Sequence, residues 1–397
     1  MKQLPGCIIH IVFDNYGYEY PVPSKNRSDG ALRLVSNIDQ ELPHNNDWVD
    51  FLGNSENKNQ LISLLVSYLL DDYEMGKDVF VNNKDVCYFK EGSRGSVSSV
   101  CEELFSKHRE ADQKVISHAL FESERGYNVC VVADDSDIFI LLLSKAHSFH
   151  GSLFFRQGKT SDKDGILYTE IQPLADHLGE PVCSVLPAFH ILTGSDYTST
   201  FYGKTKYTCF KRMVSRPDSM FLLDSLSSPN ANINEVSEFV LRVIYNRPKR
   251  EKTLGQARYN MLFVKQKGGK KKYASTKALP PDAASLALHI QRVNYITMTS
   301  VDCLNPYYTP PQATNYGWEE DSTGCLQPTW SHGPPFPEAR ETLPAENPLP
   351  SSSQKQNDDD SDSGSEDEDD TSIDSAEEDE SDCLESGDDS SLSEQEN

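Results

Sequence analysis

The sequence predicts an α/β protein: a mainly parallel sheet flanked by helices, followed by a helical extension and a disordered acidic tail. Three observations point there. Short β-branched runs, CIIHIVF (7–13) and NVCVVA (128–133), have the length and continuous apolarity of strands buried on both faces. Stretches of helical periodicity alternate with them, the order that builds parallel sheets. Finally, the net charge of −25 is unevenly placed. Residues 351–397 hold 20 acids against one base, Lys355, whereas 247–277 hold eleven bases against one acid, Glu251.

Taken in order, the 7–13 strand ends at Asp14, and 15–58 is polar and weakly patterned, hence loop with at most short helices. In 59–73 the positions Leu61, Leu64, Leu65, Tyr68 and Leu69 form the apolar stripe of an amphipathic helix. Short strands are expected at 78–81 and 86–89, helix over 101–121, strand at 128–133, helix at 138–144 and strand at 152–155. Helices follow at 171–178 and 181–193, the second stopped by Gly194. Residues 232–245 and 282–295 read as helices flanking the basic belt, which turns at Gly268-Gly269. After Cys303 the chain has proline clusters, isolated Trp318 and Trp330, and no periodicity. The expected domains are therefore a core at 1–215, a helical extension at 216–303, a Pro-rich linker at 304–350 and a tail at 351–397. The tail has too little apolar content to bury, so disorder is expected there.

Several function classes are disfavoured. The nine cysteines occur singly, with no CxxC pair, which argues against a disulfide framework or zinc knuckle and for a reducing compartment, nuclear or cytoplasmic. No apolar run approaches the ~18 residues of a membrane span, so no membrane partner is expected. Phosphate loops of the GxxxxGK[ST] and GxGxxG types are absent, and no Ser-His-Asp spacing suggests a protein nucleophile. His108 and His118 lie ten apart without a third ligand and read as structural or solvated.

What remains is a set of acids at element ends. Asp14 closes the first strand; Asp134, Asp135 and Asp137 close NVCVVA; Glu110 and Asp112 lie in HREADQKVISHAL; Asp196 follows FHILTG. In an open α/β sheet, ligands sit beyond the carboxyl ends of the strands. Carboxylates brought together there repel unless a cation neutralises them, and oxygen-only ligands suit Mg²⁺ or Mn²⁺. Glu110 and Asp112 point to different faces of a continuous helix. They reach one cleft only if the helix begins near Glu110, which makes 101–107 a separate turn. Taken singly, each acid is also an ordinary turn, cap or surface residue, and Asp196 is a good helix N-cap.

Their order carries a resemblance. VVADDSDIFILL, HREADQKVISHA, AFHILTGSDYTSTFYGK and IVFDNYGYEYPVPSKNR resemble the segments of flap endonuclease-type nucleases, the structure-specific branch of the PIN-like superfamily. EAD, DDSD and TGSD with LPPDAASLALHIQRVNY also resemble a group of element-associated animal proteins. The family resemblance implies that Asp14, Glu110, Asp112, Asp135, Asp137 and Asp196 hold metal, with Asp134 facing solvent. It implies two Mg²⁺ (or Mn²⁺) ions driving in-line phosphodiester hydrolysis, and nucleic-acid contacts at Lys25, Arg27, Gly203, Lys204 and Lys206. The family's earlier strand, with its own Asp, has no counterpart before Cys7, so a core lacking that strand and its carboxylate is expected. The family's hairpin has two glycines where this chain has Gly203 alone.

The basic belt adds candidate phosphate contacts at Lys249, Arg250, Lys270, Lys271 and Lys272, interleaved with Tyr259, Phe263 and Tyr273. DNA or RNA is thus the expected partner, with the acidic tail as an intramolecular competitor for the belt. Two functional readings stand side by side: a metal-dependent nuclease, and a catalytically inactive PIN-like adaptor or nucleic-acid-binding protein whose tail binds partners.

Overall fold

The structure, a computed structural model, describes residues 6–16, 48–72, 76–92, 98–162, 165–265, 271–273, 275–322 and 326–331. The chain divides into two units, Met1–Pro344 and Ala345–Asn397; all described residues belong to the first, so the expected acidic tail lies outside them. The fold is α/β, with mixed sheets flanked by helices.

The first sheet has the order β1-β2-β3-β4, with β1 (Ile9–Ile11), β2 (Val79–Asn83), β3 (Val86–Lys90) and β4 (Ser98–Cys101). Only β1 and β2 run parallel; β2, β3 and β4 pair antiparallel. The second sheet has the order β5-β6-β7, from β5 (Val129–Val132), β6 (Leu153–Gln157) and β7 (Leu167–Glu170), parallel then antiparallel. The sheets are therefore mixed, not mainly parallel as the sequence suggests. The reason is local: a two-residue turn at Lys84-Asp85 leaves room only for an antiparallel return.

A second difference concerns NVCVVA, whose continuous apolarity implies burial on both faces. Val131 is buried, but Cys130 is exposed and Val132 is 61% exposed. β5 is the outer strand of its sheet, and no further strand covers it among the described residues. β1 likewise occupies an edge of its sheet.

Helices α1 (Trp48–Gly53) and α2 (Ser55–Asp71) follow β1. Asn54 caps α2 by accepting from the amides of Glu56 and Asn57. α2 then buries Val66 and Leu70 against Val81 of β2. α3 (Ala111–Glu124) begins where the carboxylate argument requires, since Glu110 is its extended N-cap and a separate 3-10 turn occupies Glu102–Leu104. Its buried Lys114, 1% exposed, donates to the carbonyl of Lys84 at 2.8 Å; burial lowers its pKa to about 8 against the pull of Asp85 and Asp14.

The main core lies between α4 (Ser136–Ser144), α5 (Ile171–Leu178), α6 (Glu180–Leu192) and the C-terminal helices α7 (Lys206–Val214), α8 (Ile233–Phe239), α9 (Leu254–Leu262) and α10 (Ala283–Val301). Leu142, Leu192, Phe239, Val243 and Ile290 belong to this one apolar cluster. α10 packs on α6 and on the 3-10 segment Pro217–Ser227.

The hairpins β8 (Phe263–Lys265) with β9 (Lys271–Tyr273), and β10 (Trp318–Glu320) with β11 (Leu326–Pro328), were not apparent in the sequence, nor were α9, β4 and β7. Trp318 is far from isolated. It is 2% exposed, clusters with Leu326 and Tyr295, and carries the Arg292 guanidinium 5.8 Å from its ring. Among the described residues, no helix is long and apolar enough to cross a membrane.

Candidate active site

Four segments deliver the acids. Asp14 follows β1, Glu110 and Asp112 open α3, Asp135 and Asp137 open α4, and Asp196 lies in the bend between α6 and α7. Each location has a local cause. Asp135 is the N-cap of α4, its Oδ1 accepting the Asp137 amide at 2.9 Å, so the DxD motif is both a cap and a pair of outward carboxylates. Glu110 makes no side-chain cap bond of its own. Asp14 reaches across instead, its Oδ1 accepting the Ala111 amide at 2.7 Å. Gly194, at φ 119°, turns the chain out of α6 where a Cβ would meet Thr200 Cγ2 at 2.4 Å.

Electrostatics shows which acids converge. The Asp112 carboxyl is pushed up to about 8, first by burial and then by the charges of Glu110, Asp135, Asp137 and Asp14. Five of the six predicted carboxylates thus share one field centred on Asp112. Asp196 stays exposed, but its neighbour Tyr197 donates its phenol to Glu110 Oε1. Asp134 is exposed and accepts the Gly158 amide at 2.8 Å, outside the field on Asp112.

Three side chains hold the acids in place, and none of them stood out in the sequence as a site residue. Tyr16 donates to Asp14 Oδ2 at 2.6 Å, Tyr197 to Glu110, and His190 Nε2 lies 2.8 Å from Asp137 Oδ1. Both phenols are pushed well above the ordinary tyrosine value, by burial first and then by the carboxylates they face, so each remains a donor. The signal for Tyr197 was its place directly after Asp196 in GSDY; His190 and Tyr16 left none. Lys206 stands 3.1 Å from the His190 ring nitrogens, its pKa lowered by burial against the pull of Asp137.

The donor set fits a hard divalent cation in kind, being all oxygen and short of positive charge. It does not close on one point: among the described residues, no group of three or more His, Cys, Asp or Glu is arranged so that it could hold a metal ion. Asp14, Glu110 and Asp137 each have one oxygen engaged by a phenol or an imidazole.

Of the predicted phosphate contacts, Gly203 and Lys204 form the turn before α7, with Gly203 at φ 65° and the Lys204 amide donating to the Phe201 carbonyl at 3.0 Å. Lys206 begins α7 beside Asp137's histidine. Lys249 and Arg250 are exposed. Lys25, Arg27 and Lys270 lie outside the described residues, as do the side chains of Lys271 and Lys272. Within the belt, Arg247 binds buried Glu251, with Nε to Oε2 at 2.7 Å. Burial alone would raise the Glu251 carboxyl; hydrogen bonds from Arg247 and Asn260 outweigh it and hold the pKa below the usual value.

His108 and His118 are buried, not solvated. His108 is 4% exposed and stacked on Tyr308 at 6.0 Å; His118 is 4% exposed and bonded to His10.

No family model matches the chain, and no curated protein or solved structure matches it.

Proposed function

We propose that the chain is a PIN-like nuclease of the flap endonuclease type, hydrolysing phosphodiester bonds in DNA or RNA with Mg²⁺ or Mn²⁺. The observation that carries this reading is the convergence of Asp14, Glu110, Asp135 and Asp137 on Asp112, whose carboxyl burial and then their charges push up to about 8. Clustering acids is unfavourable in itself, so such an arrangement makes chemical sense where a cation joins it. Asp14, Glu110, Asp112, Asp135, Asp137 and Asp196 would hold that cation. Once bound, it would neutralise the carboxylates, lower the pKa of water and polarise the scissile phosphate.

The chain's own residues do the rest. Asp112 would have to be deprotonated to serve as a ligand. Tyr16 and Tyr197 fix the orientation of Asp14 and Glu110, and His190 fixes Asp137. The turn at Gly203 and the ammonium groups of Lys204 and Lys206 would meet the phosphates on the side of α6 and α7.

A second reading, the inactive adaptor, is favoured by one observation: the tyrosine and histidine bonds satisfy the carboxylates without metal. One assay separates the two. Hydrolysis of flap, hairpin and single-stranded substrates is measured with Mg²⁺ or Mn²⁺ for the wild type and for Asp135→Ala/Asp137→Ala. Metal-dependent cleavage lost in the variant supports the nuclease; equal background in both leaves the adaptor.

A further inference from the structure

Behind the Glu110–Tyr197 bond lies a cavity of about 170 Å³, closed on its far side by α10 and by the segment that follows it. Its wall is shared with the carboxylate site, because Glu110 and Tyr197 line both. Aromatic rings dominate the rest: Tyr295 from α10, Tyr308 from the following segment, and His108 stacked on Tyr308 with 18° between planes. The lid is tied down by the Lys107 amide donating to the Pro306 carbonyl at 2.8 Å and by Ser117 Oγ donating to the Cys303 carbonyl at 2.8 Å.

Two polar groups give the cavity a chemical preference. His108 is buried, yet its Nε2 finds no hydrogen-bond partner among the described residues. Burial lowers its pKa against the pull of the Asn305 and Asp302 backbone, so the ring is neutral and Nε2 is the nitrogen left to a ligand. Arg109 stands on the same wall. A buried polar atom without a partner is unfavourable unless a ligand supplies one. The space is below the ~300 Å³ of a drug-sized site and suits one planar ring system with a hydrogen-bonding edge.

We propose that this cavity receives a single unpaired nucleobase of the strand whose phosphodiester reaches the carboxylates. The base lies against the tyrosine rings and presents its polar edge to His108. The assignment rests on the nuclease reading for its ligand class, and it narrows the substrate: the strand must be single, or locally unpaired, next to the cleaved bond. Enzymes that act on nucleic acids commonly hold an extruded base between aromatic side chains in this way.

The test uses the full chain and single-stranded oligonucleotides carrying 2-aminopurine at successive positions, titrated in EDTA so that hydrolysis does not enter. Expected are fluorescence quenching at one position and about tenfold weaker binding in Ser300→Phe, which fills the cavity. Replacing the base at that position with an abasic site should make wild type and variant equal. Tyr308→Ala, which opens the cavity instead, should give the same loss, and thermal unfolding of each variant separates lost folding from lost binding. Position-independent quenching, or folded variants that bind like the wild type, would overturn the proposal. Asp135→Ala/Asp137→Ala should keep the quenching. Quenching without any wild-type hydrolysis therefore supports the cavity while removing the nuclease, and hydrolysis with quenching insensitive to Ser300→Phe removes the cavity alone.

Discussion

The Nδ1 atoms of His10 and His118 lie 2.9 Å apart, joining β1 to α3 across 108 positions of sequence. His10 Nε2 meets Glu122 Oε1 at 2.9 Å, and Arg125 donates to the same oxygen at 2.8 Å. With Glu122 accepting, His10 carries its proton on Nε2 and receives the His118 Nδ1 proton. The bond fastens the strand that leads to Asp14 onto the helix that opens with Glu110 and Asp112.

Stability should therefore fall in mild acid. Burial first, then Arg125, lowers the His10 pKa to about 4; burial first, then His10 and Lys114, lowers that of His118 to about 3. Both folded values lie below the unfolded value of 6.5, so below pH 6.5 the unfolded chain binds more protons. Stability is complete above that pH and is lost as pH falls towards 3, by on the order of 3 kcal/mol for His10 alone. Denaturant titrations at pH 7, 5 and 4 should show this decline, and His10→Gln/His118→Leu should flatten it.

Asp112 has the opposite sign. Its folded pKa is raised from 3.8 to about 8, so the folded state holds the extra proton and stability is lost as pH rises through that window. Without metal, Asp112→Asn should be more stable than the wild type above pH 8, by roughly 1–3 kcal/mol. Mg²⁺ or Mn²⁺ should raise the unfolding temperature of the wild type and leave Asp112→Asn nearly unmoved.

Tyr197→Phe should bind metal more tightly. Removing the phenol frees Glu110 from a charge-assisted bond, which is worth about 1.5 kcal/mol or more. The Mg²⁺ concentration for half-maximal thermal shift should drop about tenfold. An unchanged value would mean that Glu110 takes no part in binding the cation.

The basic belt should separate into structural and ligand-facing halves. Glu251→Ala leaves Arg247 without its partner and should lower stability by about 2 kcal/mol, read by chemical denaturation. Lys249→Ala and Arg250→Ala, both at exposed positions, should leave stability alone. Each should reduce the slope of log affinity against log salt for nucleic acid by about 1.

The acids were legible in the sequence because charge at an element end stands out, and because Glu110 and Asp112, two apart, dictate where α3 must begin. The groups that orient them were not, since Tyr16, Tyr197 and His190 belong to no charge pattern and acquire their roles only when separate segments meet. Sheet direction was misread because apolar runs show burial and not the heading of the next strand; the tight turn at Lys84-Asp85 decided that. β7, with sequence LYTE, is too short and polar to show a period. Trp318 read as isolated because its surroundings, Arg292, Tyr295 and Leu326, come from elsewhere in the chain.

The bond from Asp14 to the Ala111 amide spans 97 positions. The first turn of α3 is thus completed by a residue outside the helix, and nucleating that turn is the least favourable step in forming it. The bond ties the end of β1 to the start of α3, so one contact places Asp14 beside Glu110 and Asp112. Asp14 is consequently a keystone of the scaffold as well as a proposed ligand. Alanine there removes a joint of the scaffold, whereas Asp14→Asn, which retains an acceptor for Ala111, removes chiefly the charge.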